Sequence, residues 1–238
     1  MKIAITFDVD WAPDWCVYEV ATVLVERRIK STWFITHDSE TLSYMRNWPQ
    51  LFEIGIHPNC LPGSSHGATE TDVLSYMMDL VPETTVMRTH GLYQSVPFLY
   101  NAAVNFGISL DSSTFLSGAT HVDKISLIWK EMRLAQIPFF FEDDFEFPRK
   151  SPRWNLGYIA LPTGGVVFNF HPVHFALNTK SHDEYAKLKS RGAPANWTRE
   201  AVAAIRQPGR GPRELLYDLL AATDYQPCTM TELAASLP

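Results

Sequence analysis

Lys2-Ile3-Ala4-Ile5-Thr6-Phe7-Asp8-Val9-Asp10 opens the chain, and this stretch decides the predicted fold. Residues 2 to 7 are mostly β-branched or aromatic, which is typical of a short buried strand. The strand ends on two carboxylates, those of Asp8 and Asp10, where a Pro-containing loop begins. In parallel α/β architectures the carboxyl ends of strands open into the loops that build sites, so both acids are candidate site residues.

Along the chain, each predicted strand is followed by a cluster of polar residues and then by a predicted helix. This repeated order predicts an α/β fold. A capping role for Asp8 or Asp14 at the following helix is the alternative to a functional one. The hydrophobic pattern predicts strands at 31–36, 52–56, 86–87, 108–110 and 165–170, and helices at 15–28, 39–47, 70–81, 97–106, from 181, and 213–222. The segment 121–153 is less regular. No linker or repeat divides the sequence, so we expect one catalytic domain over residues 1–238.

Composition excludes several classes of protein. The net charge is -6 and no basic block is present, which argues against nucleic acid as the main partner. No stretch approaches the roughly 20 apolar residues of a membrane span. Three widely spaced cysteines form no disulfide framework and fit a reducing compartment. Since no export signal precedes the first strand, we expect a soluble, cytoplasmic protein if the sequence has its natural start.

Titratable residues gather at the ends of the predicted strands. They are Asp8, Asp10, His57 with His66 downstream, Arg88, His90, Asp111, His171 and His174. One Asp with two His is a common ligand set for a catalytic Zn²⁺, with a position left open for water or substrate. Such an ion polarises a carbonyl and lowers the pKa of its water to about 7, which is the chemistry of amide or ester hydrolysis.

Five ordered segments resemble the motifs of the polysaccharide deacetylases of carbohydrate esterase family 4, the NodB homology fold. They are Thr6-Phe7-Asp8-Val9-Asp10, Ser31-Thr32-Trp33-Phe34-Ile35, Phe52-Glu53-Ile54-Gly55-Ile56-His57, Arg88-Thr89-His90-Gly91 and Val167-Phe168-Asn169-Phe170-His171. The runs 57–67 and 169–174 look most like the WbmS-like group associated with bacterial O-antigen clusters. The resemblance spans residues 2 to about 178.

This resemblance implies a fold and a set of roles. The fold would be a distorted (β/α) barrel of about seven parallel strands. Asp8 would be the general base and His171 the general acid, and Arg88 would orient the base. The metal ligands would be Asp10, His57 and His66. The cofactor would be a divalent ion, Zn²⁺ in the first place, with Co²⁺ or Mn²⁺ as alternatives.

Two departures from the family pattern leave alternatives open. Most members place the two metal histidines four residues apart, but position 61 here is Leu61, so His66 must return through a Gly/Ser loop. Cys60 is the competing ligand, because a thiolate suits Zn²⁺. His90 replaces the proline of the Arg motif and is expected either to contact sugar hydroxyls or to hydrogen-bond in the core.

Three further residues are expected at the substrate. Asp111 is a candidate, with an Asx-turn or an anchoring role as its alternatives. Asp144, with Asp143 before it, follows a Phe-rich run, and the pair either lines the sugar site or lies in a solvated loop. Trp11 either stacks on a sugar face or belongs to the core. These roles, like those of the metal ligands, are hypotheses from sequence.

The function expected from sequence is metal-dependent removal of acetyl from an N-acetylated sugar. The substrate would be a surface-polysaccharide precursor, such as a sugar nucleotide or a lipid-linked glycan. Two rivals are a hydrolase of other amide bonds on the same fold and a degenerate, non-catalytic glycan-binding module. The sequence sets no oligomeric state.

Overall fold

A ten-stranded sheet forms the centre of the molecule in a computed structural model, which describes residues 1–190 and 192–238. The strands, with a separate pair included, are β1 (Lys2–Asp8), β2 (Ser31–Ile35), β3 (Phe52–Ile56), β4 (Val86–Met87), β5 (Leu110–Asp111), β6 (His121–Val122), β7 (Ile125–Trp129), β8 (Met132–Gln136), β9 (Phe141–Glu142), β10 (Thr163–Gly164), β11 (Val167–Phe170) and β12 (Gln226–Cys228). The central strands run in the order β7-β8-β5-β4-β3-β2-β1-β11-β9, with β12 paired to β1. Every pairing in this sheet is parallel except the β7–β8 hairpin.

One continuous segment, 132–142, connects the two ends of the parallel row. Its first part, β8, pairs with β5, and its last part, β9, pairs with β11. Between them, the Phe139 N–H donates to the Thr114 carbonyl and the Phe140 N–H donates to the Val167 carbonyl. The row therefore curves into a distorted barrel in which β8 and β9 share one strand position. The predicted α/β fold is confirmed.

Nine α-helices are described around the sheet. They are α1 (Asp14–Glu26), α2 (Glu40–Arg46), α3 (Glu70–Leu80), α4 (Val96–Asn105), α5 (Pro172–Leu177), α6 (His182–Lys189), α7 (Arg199–Ala203), α8 (Pro212–Ala221) and α9 (Met230–Ala234). The capping box predicted at Thr69 and Asp72 is present, and Ser39 caps α2 by accepting the Leu42 N–H. Helix α5, which begins directly after His171, was not expected from sequence.

The alternation of side chains along β1 divides the core into two parts. Ile3, Ile5 and Phe7 face a large cluster between the sheet and the helices, where Phe7 stacks on Trp33 with ring centroids 4.3 Å apart. Each such fully buried apolar side chain contributes about 1.5–3 kcal/mol relative to an exposed one. Ala4 belongs to a smaller cluster on the opposite face. Since side chains alternate along a strand, Asp8 stands on the same face as Ala4, inside the barrel.

Close approach between strands requires the glycine at position 55 of β3. A Cβ there would lie 2.8 Å from the Phe34 ring and 2.9 Å from the Val86 carbonyl oxygen.

Within residues 1–190 and 192–238, no helix combines the length and the apolar character needed to cross a membrane.

Candidate active site

The end of β1 carries the first part of the site in a strained turn. Asp10 and Trp11 have φ angles of 46° and 53°, in the left-handed region that residues other than glycine seldom occupy. Consecutive residues held in this region cost energy, which the surrounding structure must supply, and such strain concentrates at functional sites. The turn separates Asp10 from Asp8, so the two carboxylates take different partners.

Asp8 is 2% exposed and held by two side chains, one directly after β4 and one from the adjacent strand β11. Its Oδ1 accepts a hydrogen bond of 3.0 Å from Arg88 Nη1, and its Oδ2 accepts one of 2.8 Å from Asn169 Nδ2. Asn169 Nδ2 also donates to Glu142 Oε1 at 2.8 Å. Burial raises the pKa of Glu142 well above its ordinary value, so this carboxyl favours the neutral form.

Arg88 is completely buried and packs between the rings of Phe34 and Phe139, each centroid 4.4 Å from its guanidinium carbon. Besides Asp8, it donates to Thr6 Oγ1 at 2.8 Å and to the carbonyl oxygen and hydroxyl of Ser112, both at 3.0 Å. An always-charged guanidinium with this many partners fixes the position of the Asp8 carboxylate.

Asp10, His57 and His90 form a set of possible metal ligands, with one donor atom from each lying within 4.8 Å of the others. Asp10 Oδ1 lies 3.1 Å from His57 Nε2 and 2.9 Å from His90 Nδ1. Burial alone would raise the pKa of Asp10, but hydrogen bonds from the two histidines hold it well below its ordinary value. Burial lowers the pKa of His90, and the Asp10 carboxylate more than offsets this, so the net pKa is raised.

His66 lies beside this set but outside it, so the geometry groups His90 with Asp10 and His57, where the sequence predicted His66. The His66 Nδ1 accepts the backbone N–H of Asn59 at 3.1 Å. Its Nε2 is buried and has no hydrogen-bond partner among the described residues. The spacing between His57 and His66 in the sequence does not show which way the His66 ring is directed, because that direction depends on the path of the loop 58–66.

The competing ligand Cys60 is also outside the set. Burial raises the pKa of its thiol to about 12, and the charge of Glu70 adds to the shift. Because the thiolate is the form that binds metal, this environment disfavours Cys60 as a ligand. All three cysteines are free.

His171, at the end of β11, is held by Asp143. Its Nδ1 lies 2.6 Å from Asp143 Oδ1, and its backbone N–H donates to Asp143 Oδ2 at 2.9 Å. Burial alone would lower the pKa of His171, but the Asp143 charge and hydrogen bond raise it well above its ordinary value. Its Nε2 lies 3.6 Å from Asp10 Oδ2, so the imidazole reaches the ligand set. Sequence reasoning missed Asp143 as the partner, although it had singled out the pair Asp143-Asp144.

The three residues expected at the substrate have different environments. Asp111 is 0% exposed and accepts hydrogen bonds from Ser113 Oγ and Gln136 Nε2, so it stabilises the end of β5 and faces no cleft. Asp144 is half-buried; its Oδ1 has no partner among the described residues, and burial raises its pKa to about 6. Trp11 is half-buried, with its ring centroid 5.2 Å from that of His90 and 5.4 Å from that of His66.

His174 is buried between aromatic rings next to this site. Its ring lies edge-on to Phe147, Tyr185 and His171, and its Nδ1 pairs with Thr179 Oγ1 at 3.2 Å. Burial lowers the pKa of His174 to about 3, which keeps the imidazole neutral. It forms a second set of possible metal ligands with Asp143 and His171. Since the His174 imidazole is enclosed by the rings of Phe147 and Tyr185 and hydrogen-bonded to Thr179, we describe it as a packing residue.

Comparison with known families identifies one match over most of the chain. The family described as WbmS-like polysaccharide deacetylase matches residues 5–189, which include every residue of the site described above. No curated protein matches the chain significantly.

Two solved structures illustrate the similarity. A Bordetella bronchiseptica protein, WbmS, assigned to polysaccharide deacetylation in O-antigen biosynthesis, shares 27% identity with a TM-score of 0.76, over 92% of this chain and 89% of that one. A family 4 acetyl xylan esterase from Clostridium thermocellum, in complex with a cobalt ion, shares 15% identity with a TM-score of 0.50, over 100% of this chain and 93% of that one. At this identity the second likeness shows the fold alone.

Proposed function

The chain belongs to the WbmS-like polysaccharide deacetylases, and we propose that it hydrolyses the acetamido group of an N-acetylated sugar with the help of a divalent metal ion. One observation carries the proposal: two oriented groups flank the Asp10, His57 and His90 set. Asp8 Oδ1 lies 3.9 Å from His57 Nδ1, and His171 Nε2 lies 3.6 Å from Asp10 Oδ2. A base and an acid on either side of a metal site are what amide hydrolysis needs.

The donor set fits a metal ion on chemical grounds. One carboxylate and two imidazoles match the three-ligand sites of catalytic Zn²⁺, and Co²⁺ or Mn²⁺ suit the same atoms. In addition, the donor atoms converge, because Asp10 Oδ1 lies 3.1 Å from His57 Nε2 and 2.9 Å from His90 Nδ1. We therefore assign Asp10, His57 and His90 as the ligands. When bound, the ion supplies Lewis-acid polarisation of the acetyl carbonyl and acidifies a water.

Asp8 is the proposed general base. The bonds from Arg88 and Asn169 fix its carboxylate at the edge of the ligand set, where it can take a proton from the attacking water. Arg88 is a positioning residue, because its guanidinium is completely buried and reaches the reaction only through Asp8.

His171 is the proposed general acid. Water adds to the acetyl carbonyl carbon and forms a C–O bond; when the tetrahedral adduct collapses the C–N bond breaks, and the leaving sugar nitrogen must gain a proton to depart as an amine. Asp143 holds the imidazole through Nδ1, which leaves Nε2 directed toward the ligand set and able to donate that proton. The products are acetate and the sugar amine.

We propose further that the substrate is a precursor of a bacterial surface polysaccharide, by likeness to the B. bronchiseptica protein. The whole chain acts as one catalytic domain in this proposal. The C-terminal strand β12 supports it, because β12 pairs with β1, the strand that carries Asp8.

Acetate release from N-acetylated sugars is the direct test, before and after metal is removed with a chelator and added back. The parent protein is expected to release acetate only with metal. Asp8→Asn is expected to lose about 10²- to 10⁴-fold in kcat while keeping its metal, and Asp123→Asn, an exposed carboxylate outside the site, serves as the matched control. Metal-independent release, or release only from non-sugar amides, would overturn the proposal.

A further inference from the structure

Glu142 is a buried carboxyl of the candidate active site that has no role in the proposed mechanism. It is 5% exposed and lies on β9, next to Asn169 in the register between β9 and β11. Asn169 is in turn next to Thr6 of β1. Side chains alternate along strands, so these three residues form one row inside the barrel. Asp8 and His171, each two residues farther along the chain, belong to the next row, and Glu142 therefore lies beneath the base and the acid.

Glu142 is close to both groups that transfer protons. One carboxylate oxygen of Asp8, one of Glu142 and one ring nitrogen of His171 lie within 4.8 Å of one another. Asn169 connects the two carboxyls, because its Nδ2 donates to Asp8 Oδ2 and to Glu142 Oε1, both at 2.8 Å. Two hydrogen bonds through a single water span about 5 Å, so one water is enough to carry a proton across each of these gaps.

The charges around Glu142 favour its neutral form. Asp144 and Asp8 face it with negative charge, and Arg88 and His171 face it with positive charge. Both cations are already paired with other carboxylates. Burial, together with the two negative charges, keeps the pKa of Glu142 well above its ordinary value. Because Oε1 accepts the amide hydrogen of Asn169, the carboxyl proton is carried by Oε2.

Each turnover of the proposed mechanism leaves both catalytic groups in the wrong protonation state. Asp8 holds the proton taken from water, and His171 has lost the proton that it gave to the sugar amine. The two residues are only 2% and 5% exposed, so their exchange of protons with bulk water is restricted. In net terms, one proton must move from Asp8 to His171 before the next turnover.

We propose that Glu142 is a proton relay that returns this proton from Asp8 to His171. In the first step the Glu142 O–H bond breaks and the proton binds to His171 Nε2, which leaves Glu142 as a carboxylate. In the second step the Asp8 O–H bond breaks and its proton binds to the Glu142 carboxylate. Glu142 is then neutral again, and Asp8 and His171 are ready for the next substrate. This inference rests on the proposed deacetylase function and adds a residue to its cycle.

The test compares kcat with kcat/KM for acetate release from N-acetylglucosamine and its oligomers by the parent and by Glu142→Gln. The return of the proton follows the chemical step, so it contributes to kcat and not to kcat/KM. Glutamine keeps the shape of the side chain and the acceptor for Asn169, but it has no acidic proton. Glu142→Gln is therefore expected to lower kcat about tenfold and to leave kcat/KM within about twofold of the parent.

Two further readouts separate a relay from a structural role. Rapid-quench assays of Glu142→Gln should show a burst of about one acetate per chain before the slow steady state, because the first turnover begins from the correct protonation states. Glu142→Asp retains an acidic proton and is expected to keep more of kcat than Glu142→Gln.

Asp111→Asn is the matched control. Asp111 is also buried and burial raises its pKa, but its carboxyl accepts hydrogen bonds from Ser113 and Gln136 and does not connect the base with the acid. In this variant kcat and kcat/KM are expected to change by the same factor, without a burst. Equal losses of kcat and kcat/KM in Glu142→Gln, or no loss of kcat, would overturn the relay while leaving the deacetylase function intact.

Infrared difference spectroscopy tests the relay if the parent releases no acetate. At neutral pH, the spectrum of the parent minus that of Glu142→Gln should contain the C=O stretching band of a protonated carboxyl. This band would support Glu142 as the proton carrier even if the deacetylase function failed. Absence of the band would refute the relay, as would a second equivalent of metal that the parent binds and Glu142→Gln loses.

Discussion

Arg88→Met is predicted to lower the free energy of unfolding by about 3–5 kcal/mol, because it leaves the buried Asp8 carboxylate without its cation. The guanidinium is completely buried and reaches Asp8 at 3.0 Å, so solvent does not screen the pair. Methionine is the chosen replacement because it keeps most of the apolar volume between Phe34 and Phe139. The main cost is therefore the unpaired charge and the hydrogen-bond acceptors left on Thr6 and Ser112.

Urea unfolding monitored by circular dichroism measures the effect, with Arg46→Met as the matched control. Arg46 forms an equivalent arginine–carboxylate pair with Glu83 at 2.9 Å, but both side chains are about 40–50% exposed. That pair is expected to contribute about 0–1 kcal/mol. A similar, small loss in both variants would refute the reasoning that burial makes the Asp8–Arg88 pair critical.

A double variant tests the cause of the loss. If the unpaired charge of Asp8 is what destabilises Arg88→Met, then Asp8→Asn added to Arg88→Met should restore part of the lost stability. Recovery is expected because the buried carboxylate is then replaced by a neutral amide. In the opposite case, adding Asp8→Asn to Arg88→Met would lower the free energy of unfolding by as much as Asp8→Asn lowers it in the parent. This result would show that the two residues are not coupled.

Three further predictions concern the acid, a buried histidine and a strained glycine. Asp143→Asn should lower kcat by about 10²- to 10⁴-fold with metal retained, because it removes the charge that holds the general acid protonated. Asp144→Asn, the control, should lower kcat far less. Comparable losses of kcat in steady-state assays of the two variants would contradict this. His174 should destabilise the fold as the pH falls, because the unfolded imidazole binds a proton below about pH 6.5 and the folded one only near pH 3. Between pH 6.5 and pH 5 the free energy of unfolding of the parent should therefore fall by about 2 kcal/mol more than that of His174→Gln. Equal pH dependence of the two proteins in urea titrations would disprove this. Gly164→Ala should cost about 1–3 kcal/mol more than Gly118→Ala, because both have positive φ but only at Gly164 would a Cβ lie 2.2 Å from a carbonyl oxygen; equal thermal midpoints would contradict it.

The positions of the strand-end residues could be predicted because hydrophobic runs reveal strands, and parallel strands bring their carboxyl ends to one edge. Asp8, Asp10, His57 and His171 lie together for this reason, as the sequence led us to expect. The capping box at Thr69 was predictable on equally local grounds.

Contacts that depend on the path of loops could not be predicted. His66 is predicted from sequence as the third metal ligand; the loop orients its Nδ1 toward the Asn59 N–H, and the Nδ1 of His90 lies 2.9 Å from Asp10. Asp111 was expected at the substrate, yet the Gln136 amide from the neighbouring strand buries and holds it. Neither partner is near in sequence, so spacing alone did not favour them.

The sequence pattern also did not predict that β8 and β9 occupy one strand position in the sheet. β9 has two residues, and periodicity cannot identify so short a strand. The bend between the two strands delivers Glu142 and Asp143 to the site, where they contact Asn169 and His171. Asp143, which holds the acid, and Glu142, which contacts the Asn169 partner of the base, therefore come from the segment whose secondary structure was least regular in sequence.

The central claim is that Asp10, His57 and His90 hold a divalent metal ion, and metal content per chain tests it most directly. Elemental analysis of protein purified without chelators or a metal-binding tag should find about one equivalent in the parent. His90→Ala should lose most of it, and the adjacent His66→Ala should retain it. Loss in His66→Ala with retention in His90→Ala would return the third ligand to His66. A parent that binds no metal, even after Zn²⁺, Co²⁺ or Mn²⁺ is added back, would contradict the claim altogether.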